Sequence, residues 1–505
     1  MNTIDAFLNR ITMYRLVLYV LIALLGIAML LSFLNLLHFS PLALVLSTAL
    51  LIVICWAMNT VWAFLLKVPT NVESALITAL ILALILDPAR SLGDVQFLGW
   101  VAILAMSSKY ILAIRKKHLF NPAAIAVVIT AFTMGGTASW WVGTLSMLPA
   151  VLAGGWLVAR KLRQEEMVVL FCVSAMVSTV LLTLARDRDL ASELTQLLFQ
   201  SPLVFLATIM LTEPLTAPPT KMWRRFYGVL TGILVAPLFH AGPIYSTPEL
   251  ALVVGNLFSY LVSSKQRVVL KLQKKVKLAP DIMDFVFRSS QPLAFAPGQY
   301  MEFTLEHARP DSRGNRRYFT LASSPTEPTV HLGVRFYEKS SSFKRAMYWI
   351  DGKTPLIGAQ IAGDFILPRD PDQKLVFLAG GIGITPFRSM LKYLLDTQQR
   401  RDIVMLYANR AAKEIVYQDV LSAAAARLGV KIFYTLTDTS AVPRNWSGYV
   451  GRINEQMIKE AVPDYMHRLY YLSGPPDMVR AYEQVLKNMH IKSGQIKKDF
   501  FPGLV

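Results

Sequence analysis

A glycine cluster in the last third of the chain has the pattern most suggestive of chemistry. Its glycines are Gly380, Gly381 and Gly383, followed by Thr385 and Pro386. The β-branched, apolar segment 374–379 precedes the cluster, and apolar residues resume at helical spacing over 384–395, which predicts a strand, a tight turn and a helix. Glycine lets backbone approach a pyrophosphate, and the free N–H groups that start a helix attract anions. The spacing is not the Rossmann G-x-G-x-x-G, so the turn alone is also compatible with a plain connection.

Two polar segments upstream combine a cation, aromatic rings and hydroxyl groups. The first contains Arg317, Tyr318, Phe319 and Thr320, and the second contains Ser341 and Ser342. A cation can bind phosphate, an aromatic ring can lie on a flavin face, and a hydroxyl can lie near the flavin N5 edge. The serines and their backbone N–H groups suit a pyrophosphate. Each segment alone is compatible with a polar turn, but their order and spacing favour a flavin site.

Two domains must position these residues. Over residues 265–369, short strand patterns between Pro and Gly turns predict an antiparallel β-barrel. Over residues 370–505, strands alternate with helices, which predicts an α/β doubly wound parallel sheet. The predicted strands of that sheet are Leu375–Leu378, Ile403–Tyr407, Lys431–Thr435 and Leu469–Leu472. Ligands of such sheets bind at the carboxyl ends of strands, where Ser473, Gly474 and Pro475 follow the last strand.

Residues 1–264 predict a polytopic α-helical membrane domain. The 505-residue chain is 54% hydrophobic and only 17% charged, which is too apolar for an ordinary soluble protein of this size. We expect about ten helices of roughly 20 residues each, near 15–36, 41–66, 72–88, 96–114, 119–134, 142–160, 166–185, 194–211, 223–239 and 247–263. With this count, most loop Lys and Arg residues fall on one side, and only Arg90, Arg186 and Arg188 fall on the other. The asymmetry predicts an inner-membrane protein with cytoplasmic soluble domains.

Charge, cysteine and histidine placement exclude several function classes. The net charge is +18, but many cations flank apolar spans, where they meet lipid head groups, so we expect no nucleic-acid partner. The two cysteines, Cys55 and Cys172, cannot ligate an iron–sulfur cluster. His38, His118 and His240 lie at span ends without a same-helix pair, which argues against transmembrane haem. We therefore predict no metal site.

The chain from about residue 266 onward resembles the ferredoxin–NADP reductase family. Arg317, Phe319 and Thr320 match its Arg-x-Tyr-Ser/Thr motif, with Phe in place of Tyr. Ser473-Gly474-Pro475 resembles its Cys-Gly-x-Pro motif, with Ser in place of Cys. The resemblance implies FAD in the barrel, a nicotinamide dinucleotide at the glycine cluster, and hydride transfer beside Thr320 and Ser473. It also implies that a terminal aromatic residue, Phe501 or its neighbour Phe500, covers the flavin ring.

The choice between NADH and NADPH is only weakly signalled. Asp438, after the third predicted strand of the α/β domain, would disfavour a 2′-phosphate, whereas Arg410 and Arg444 could bind one. We expect NADH, with NADPH as the alternative.

Two stretches of the membrane half resemble a family that contains the B subunit of the sodium-pumping NADH:quinone reductase and the D subunit of the Rnf complex. They are 117–124, with Asn121-Pro122, and 211–220, followed by 225–228. Asn suits a helix cap and Pro a first helical turn, so Asn121-Pro122 predicts a helix start. Those subunits attach FMN to a Ser-Gly-Ala-Thr type motif that this sequence lacks. A non-covalent flavin or a quinone between the helices therefore remains the alternative, and Lys109 is a candidate contact that could equally snorkel to the membrane surface.

These patterns together predict a membrane-bound, FAD-dependent NAD(P)H oxidoreductase that passes electrons toward quinone, a second flavin or a redox partner. The alternative is a cytoplasmic reductase on a membrane anchor or transporter domain that serves a separate acceptor protein. Hydride transfer needs no strong acid or base from the protein, since the cofactors carry the chemistry.

Overall fold

The computed structural model describes Leu8 and residues 11–66, 72–114, 117–236, 239–242, 244–262, 268–307, 311, 315–338 and 340–499. The chain divides into two compact units, one up to Lys265 and one from Gln266. The three domain boundaries drawn from the sequence stay predictions.

The first unit is helical. Its helices are α1 (Met13–Phe33), α2 (Pro41–Leu65), α3 (Val72–Ile85), α4 (Leu92–Ile111), α5 (Pro122–Met134), α6 (Leu148–Leu162), α7 (Glu165–Ala185), α8 (Leu190–Phe199), α9 (Leu203–Met210), α10 (Lys221–Val235) and α11 (Pro248–Val262). Two short hairpins pair Ala113–Ile114 with Lys117–His118 and His240–Ala241 with Ile244–Tyr245. The second half of α9 is a π-helix over Leu206–Met210.

Among the described residues, α1, α2 and α7 are long and apolar enough to cross a membrane. The helices α8 and α9 meet that test as a pair that is bent by 51°. A helix overlaps each of the ten predicted segments, but several helices are shorter than the roughly 20 residues that a span needs. The number of spans therefore stays a prediction.

Asn121 and Pro122 start α5 as expected. The Asn121 side chain accepts hydrogen bonds from the N–H groups of Ala123 and Ala124, at 3.1 and 3.2 Å. Proline occupies the first turn, where its missing N–H costs no helical hydrogen bond. The predicted helix start is confirmed.

The second unit begins with a six-stranded antiparallel sheet. Its strands are β1 (Val268–Ala279), β2 (Ile282–Ser289), β3 (Tyr300–Thr304), β4 (Arg316–Thr320), β5 (Val330–Arg335) and β6 (Leu356–Ala362), in the order β4-β3-β6-β1-β2-β5. Alternating apolar residues of these strands, together with Phe343 and Met347 of helix α12 (Ser342–Trp349), form its core. The polar segments predicted to bind flavin thus lie on β4 and at the start of α12.

A six-stranded parallel sheet follows. Its strands are β7 (Leu375–Gly380), β8 (Ile403–Asn409), β9 (Lys431–Leu436), β10 (Tyr449–Val450), β11 (Leu469–Ser473) and β12 (Ile496–Lys498), in the order β10-β9-β8-β7-β11-β12. The helices are α13 (Thr385–Asp396), α14 (Gln418–Leu428), α15 (Glu455–Ala461) and α16 (Pro476–Asn488). All six residues of β7 are buried, as expected for a strand that is covered on both faces. The four predicted strands and their parallel arrangement are confirmed.

Buried polar contacts join the two sheets of this unit. The Arg388 guanidinium on α13 donates from Nη2 to Glu327 Oε1 at 2.9 Å. The neighbouring Ser389 hydroxyl donates to the Ser323 carbonyl oxygen at 2.7 Å. These contacts link α13 of the parallel-sheet domain to the segment between β4 and β5, and removing Glu327 would leave the buried Arg388 charge without its counter-ion.

Candidate functional site

The glycine cluster forms the turn between β7 and α13. A single 3-10 turn spans Gly381–Ile384, and α13 then begins at Thr385, with Pro386 in its first turn. Gly381 has a φ of +51°, a left-handed conformation that glycine adopts without steric cost. The predicted strand, turn and helix are therefore confirmed, and the 3-10 turn is the one addition.

The turn lies where the order of the parallel sheet reverses. In the sheet, β7 lies between β8 and β11. The chain continues from β7 to β8 on one side and later adds β11 on the other side, and this reversal opens a crevice at the carboxyl ends of the strands. A Cβ added to Gly383 would lie 2.4 Å from the Ser473 carbonyl oxygen and 2.5 Å from the Gly474 Cα. The glycine turn and the loop of Ser473, Gly474 and Pro475 are therefore in direct contact.

Ser473 is oriented by an acid from the end of the chain. Its hydroxyl donates to Asp499 Oδ2 at 2.9 Å, and Ser473 itself is buried. The Asp499 N–H in turn donates to the Leu472 carbonyl oxygen at 2.9 Å. The sequence analysis gave Asp499 no role, because its proximity to Ser473 depends on how the chain returns along the sheet. The predicted flavin cover, Phe501 or Phe500, lies outside the described residues.

The predicted flavin residues of β4 alternate between the two faces of their sheet. Arg317 and Phe319 both pack against Phe343, with the Arg317 guanidinium carbon 5.6 Å and the Phe319 ring centroid 5.9 Å from the Phe343 ring centroid. On the other face, Tyr318 packs edge-on against Tyr300 at 5.6 Å, and Thr320 is buried. The strand therefore presents a cation and an aromatic ring on one face, and a hydroxyl on the other.

The start of α12 already holds an anionic group of the chain itself. The Asp311 carboxylate accepts from the Ser342 N–H at 2.9 Å and lies 3.7 Å from Arg317 Nη2. Ser341 caps the helix by accepting from the Lys344 N–H at 3.2 Å. A helix start and a guanidinium that converge on a carboxylate also suit a phosphate. The residues present therefore fit the pyrophosphate of a flavin dinucleotide, which would replace Asp311 there.

Arg335, at the end of β5, is a candidate that the sequence analysis missed. Its Nη1 would lie 3.2 Å from a Cβ on Gly381, which places the guanidinium beside the glycine turn. Nε and Nη2 donate to Asp281 and Glu414 at 2.6 and 2.7 Å. Burial alone lowers the pKa of Arg335, but the hydrogen bonds to Glu414 and Asp281 outweigh it and raise that pKa. A permanently charged guanidinium, paired with two carboxylates, therefore lies beside the predicted phosphate cradle.

The first unit contains a separate cavity. Its volume is about 50 Å³, and its polar lining includes Lys109, Glu213, Asn121 and Ser74. The Lys109 ammonium donates to the Ser74 carbonyl and hydroxyl oxygens at 2.8 and 3.1 Å. This bond directs Lys109 into the helix bundle, whereas snorkelling would take its ammonium toward water.

The two membrane stretches singled out in the sequence meet at this cavity. Glu213 Oε2 accepts from Asn121 Nδ2 at 3.0 Å and from Thr216 Oγ1 at 3.1 Å. Glu213 Oε1 lies 3.3 Å from His118 Nε2. The contacts of Glu213 with His118 and Asn121 join residues more than ninety positions apart in sequence. The Glu213 carboxylate and the Lys109 ammonium line the same cavity. An apolar cavity with a few convergent polar groups is the usual form of a small-molecule site.

Comparisons with known proteins agree with both halves of this description. Residues 377–484 match the family model of the oxidoreductase NAD-binding domain, and residues 95–269 match that of the NQR2, RnfD, RnfE family. The glycine betaine monooxygenase reductase subunit of Pseudomonas aeruginosa is 28% identical over 234 residues, which cover 44% of this chain and 60% of that protein. The flavohemoprotein of Bacillus subtilis is 25% identical over 236 residues, which cover 46% of this chain and 58% of that protein.

The chain spans about 60% of the length of these relatives. Among solved structures, the cytochrome P450 reductase GcoB of Amycolatopsis aligns with 21% identity and a TM-score of 0.43, over 48% of this chain and 71% of that chain. The two family matches show that this chain joins an NQR2/RnfD/RnfE-type domain to an oxidoreductase NAD-binding domain, as the two resemblances implied.

Proposed function

We propose that this protein is a membrane-bound, FAD-dependent NAD(P)H oxidoreductase that moves electrons from NADH through FAD to an acceptor in its membrane unit. The contact of the glycine turn with the Ser473–Pro475 loop, at the switch point of the parallel sheet, carries this proposal. We place the soluble unit in the cytoplasm, where nicotinamide cofactors occur, and the helical unit in the bacterial inner membrane.

Most of the predicted residues then have a role in binding or orientation. Arg317 and the serines at the start of α12 hold the flavin pyrophosphate, and Phe319 and Thr320 orient its ring. Gly380, Gly381 and Gly383 receive the dinucleotide pyrophosphate beside Arg335, while Ser473 and Gly474 orient the nicotinamide. Bound FAD would supply a ring that accepts hydride, so the chain's task is to hold donor and acceptor in contact and exclude water.

The cavity of the helical unit is the proposed acceptor site. Lys109 can donate a hydrogen bond to a ring carbonyl, and the apolar walls suit a flat, apolar ring system such as a quinone or a non-covalent flavin. The second candidate function is a reductase that serves a separate protein from a membrane anchor. The reductase subunits among the relatives favour that candidate.

The test uses detergent-purified full-length protein. We expect the protein to retain FAD, its flavin absorbance to be bleached by NADH, and the reduced protein to pass electrons to a short-chain quinone. Bleaching without quinone reduction would favour the anchored reductase, and protein that neither holds FAD nor reacts with NADH or NADPH would refute the proposal.

Replacing Arg317 with leucine is expected to weaken FAD binding. A hydrogen bond to a charged group contributes about 1.5–3 kcal/mol, so FAD affinity should fall about tenfold to a hundredfold. Fluorescence titration of apoprotein with FAD measures this change. Arg316→Leu is the matched control, because Arg316 points to the other face of β4, 4.0 Å from Glu302, and its affinity should stay near wild type.

Asp438 is expected to set the preference for NADH. It follows β9, beside Arg410, and hydrogen bonds from Ser440 hold the pKa of its carboxyl below the usual value, so it is charged at neutral pH. In Asp438→Ser, kcat/KM for NADPH relative to NADH should rise about tenfold. Asp419→Ser, at an exposed position on α14, should leave the ratio unchanged. An unaltered ratio in Asp438→Ser would assign the preference to other residues.

A further inference from the structure

An aromatic surface lies after the end of β5 and at the end of α12, and its Tyr337 ring borders Arg335 at 5.9 Å. Tyr337, Tyr348 and Trp349 are 58%, 44% and 79% exposed. The Tyr348 ring lies 5.2 Å from Trp349 and 5.3 Å from Phe336, centroid to centroid, so these three rings form one group, and Tyr337 follows Phe336 in the chain. Exposing a tryptophan to this extent costs solvation free energy unless something covers it.

Lysines surround these rings. Lys275 donates from Nζ to the Tyr348 carbonyl oxygen at 2.6 Å, and Lys344 Nζ lies 5.3 Å from the Tyr337 ring centroid. Lys277, two residues after Lys275 on β1, and Lys353, four residues after Trp349, are exposed. Of the local acids, Asp351 accepts from the Lys353 and Thr354 N–H groups at 3.1 and 2.8 Å, and hydrogen bonds of this kind favour its charged form. Glu338 is exposed, and the surface keeps an excess of positive charge.

We propose that this aromatic–basic surface, formed by Tyr337, Tyr348, Trp349 and the surrounding lysines, binds the anionic head groups of a lipid bilayer. Tryptophan and tyrosine rings favour the boundary between hydrocarbon and water, because each ring has an apolar body and a polar group. Lysines beside them attract anionic lipid and extend along it. The proposal concerns lipid contact and holds whatever the electron acceptor is.

A lipid surface is favoured over an acidic protein by the make-up of the chain. The same polypeptide carries helices long and apolar enough to cross a membrane. Lipid is therefore present at high effective concentration for the attached soluble unit, whereas a protein partner must arrive by diffusion. Even a weak affinity of these few rings and cations would then suffice for occupancy.

The experiment places an environment-sensitive fluorophore at Trp349→Cys in full-length protein whose Cys55 and Cys172 are changed to alanine. The protein is reconstituted in nanodiscs of neutral phosphatidylcholine, or of phosphatidylcholine mixed with phosphatidylglycerol. Lipids brominated near the head group quench the label if it touches lipid. The same label at Met466→Cys, an exposed residue of the parallel-sheet domain, is the control. Retained FAD and reduction by NADH verify the fold, and Tyr337→Cys replaces Trp349→Cys if that variant does not fold.

We expect quenching at position 349 in anionic nanodiscs, weaker quenching in neutral ones, and loss of most of it in Lys277→Glu/Lys353→Glu. Position 466 should show no quenching in either lipid. Equal quenching at the two positions, or none at 349, overturns the proposal. Equal quenching at 349 in neutral and anionic nanodiscs overturns the head-group charge requirement. A label at 349 that is shielded from a water-soluble quencher but not reached by brominated lipid assigns the surface to a protein partner.

Discussion

Reduction of the bound flavin by NADH is expected to slow about a hundredfold in Gly383→Ala, because a misplacement of about 1 Å costs rate on that scale. The added Cβ would lie 2.4 Å from the Ser473 carbonyl oxygen and 2.5 Å from the Gly474 Cα. Backbone atoms cannot rotate away as a side chain can, so the turn and the loop must separate. Stopped-flow absorbance of the flavin after mixing with NADH measures the rate.

FAD content should be unchanged in this variant, because the residues proposed to hold FAD lie on β4 and α12. Gly494→Ala is the matched control, since a Cβ at Gly494 meets nothing within 4 Å. Wild-type reduction rates in Gly383→Ala would remove the turn from the dinucleotide site. Loss of FAD together with a lowered melting temperature would show that the glycine supports the fold of the domain instead.

Electron transfer into the membrane unit is expected to fall about tenfold to a hundredfold in Lys109→Met, because this variant loses a hydrogen bond from a charged group, which contributes ~1.5–3 kcal/mol. Methionine is close to lysine in length and fills the same space, but it cannot donate to an acceptor in the cavity. The rate of flavin reduction by NADH should stay within about twofold of wild type, because the chemistry at the flavin does not involve Lys109. Reduction of a short-chain quinone by NADH measures the first quantity, and stopped-flow absorbance the second.

Glu213→Gln should act on the same step, since Glu213 lines the same cavity and bonds to Asn121 and Thr216. Glu249→Gln is the matched control. Glu249 is also a buried carboxylate of the helical unit, where it accepts from Trp140 Nε1 at 2.9 Å, but it does not line this cavity. Normal quinone reduction in both cavity variants would favour a separate acceptor protein. An equal loss in Glu249→Gln would indicate general destabilisation of the bundle.

Much of the fold could be predicted because its signals are local. A β-branched run before a glycine cluster and a helical period after it specified β7, the turn and α13. Asn121 before Pro122 specified the start of α5 for the same reason, since capping depends on residues within three positions. Sequence hydropathy located the helices of the first unit but left the number of spans open, because a helix of thirteen to fifteen residues is shorter than a bilayer core.

The candidate site was predicted only in part. The sequence placed Ser473, Gly474 and Gly383 in one site by resemblance, but it did not find Asp499 or Arg335. Asp499 meets Ser473 across 26 positions, and Arg335 meets Glu414 across 79. The Asp311 carboxylate at the start of α12 was likewise not predicted, since its contact with Ser342 joins residues 31 positions apart.

By itself, the sequence determined the classes of element, the residues that could bind phosphate and flavin, and the split between an apolar and a soluble half. Those properties follow from the periodicity and chemistry of neighbouring residues. Only the tertiary structure decided that Arg335 lies beside Gly381, that Asp499 orients Ser473, and that Lys109 and Glu213 share one cavity. The reason is physical: such contacts arise when sheets and helices bury their apolar faces, and burial brings distant residues together without leaving a local pattern in the chain.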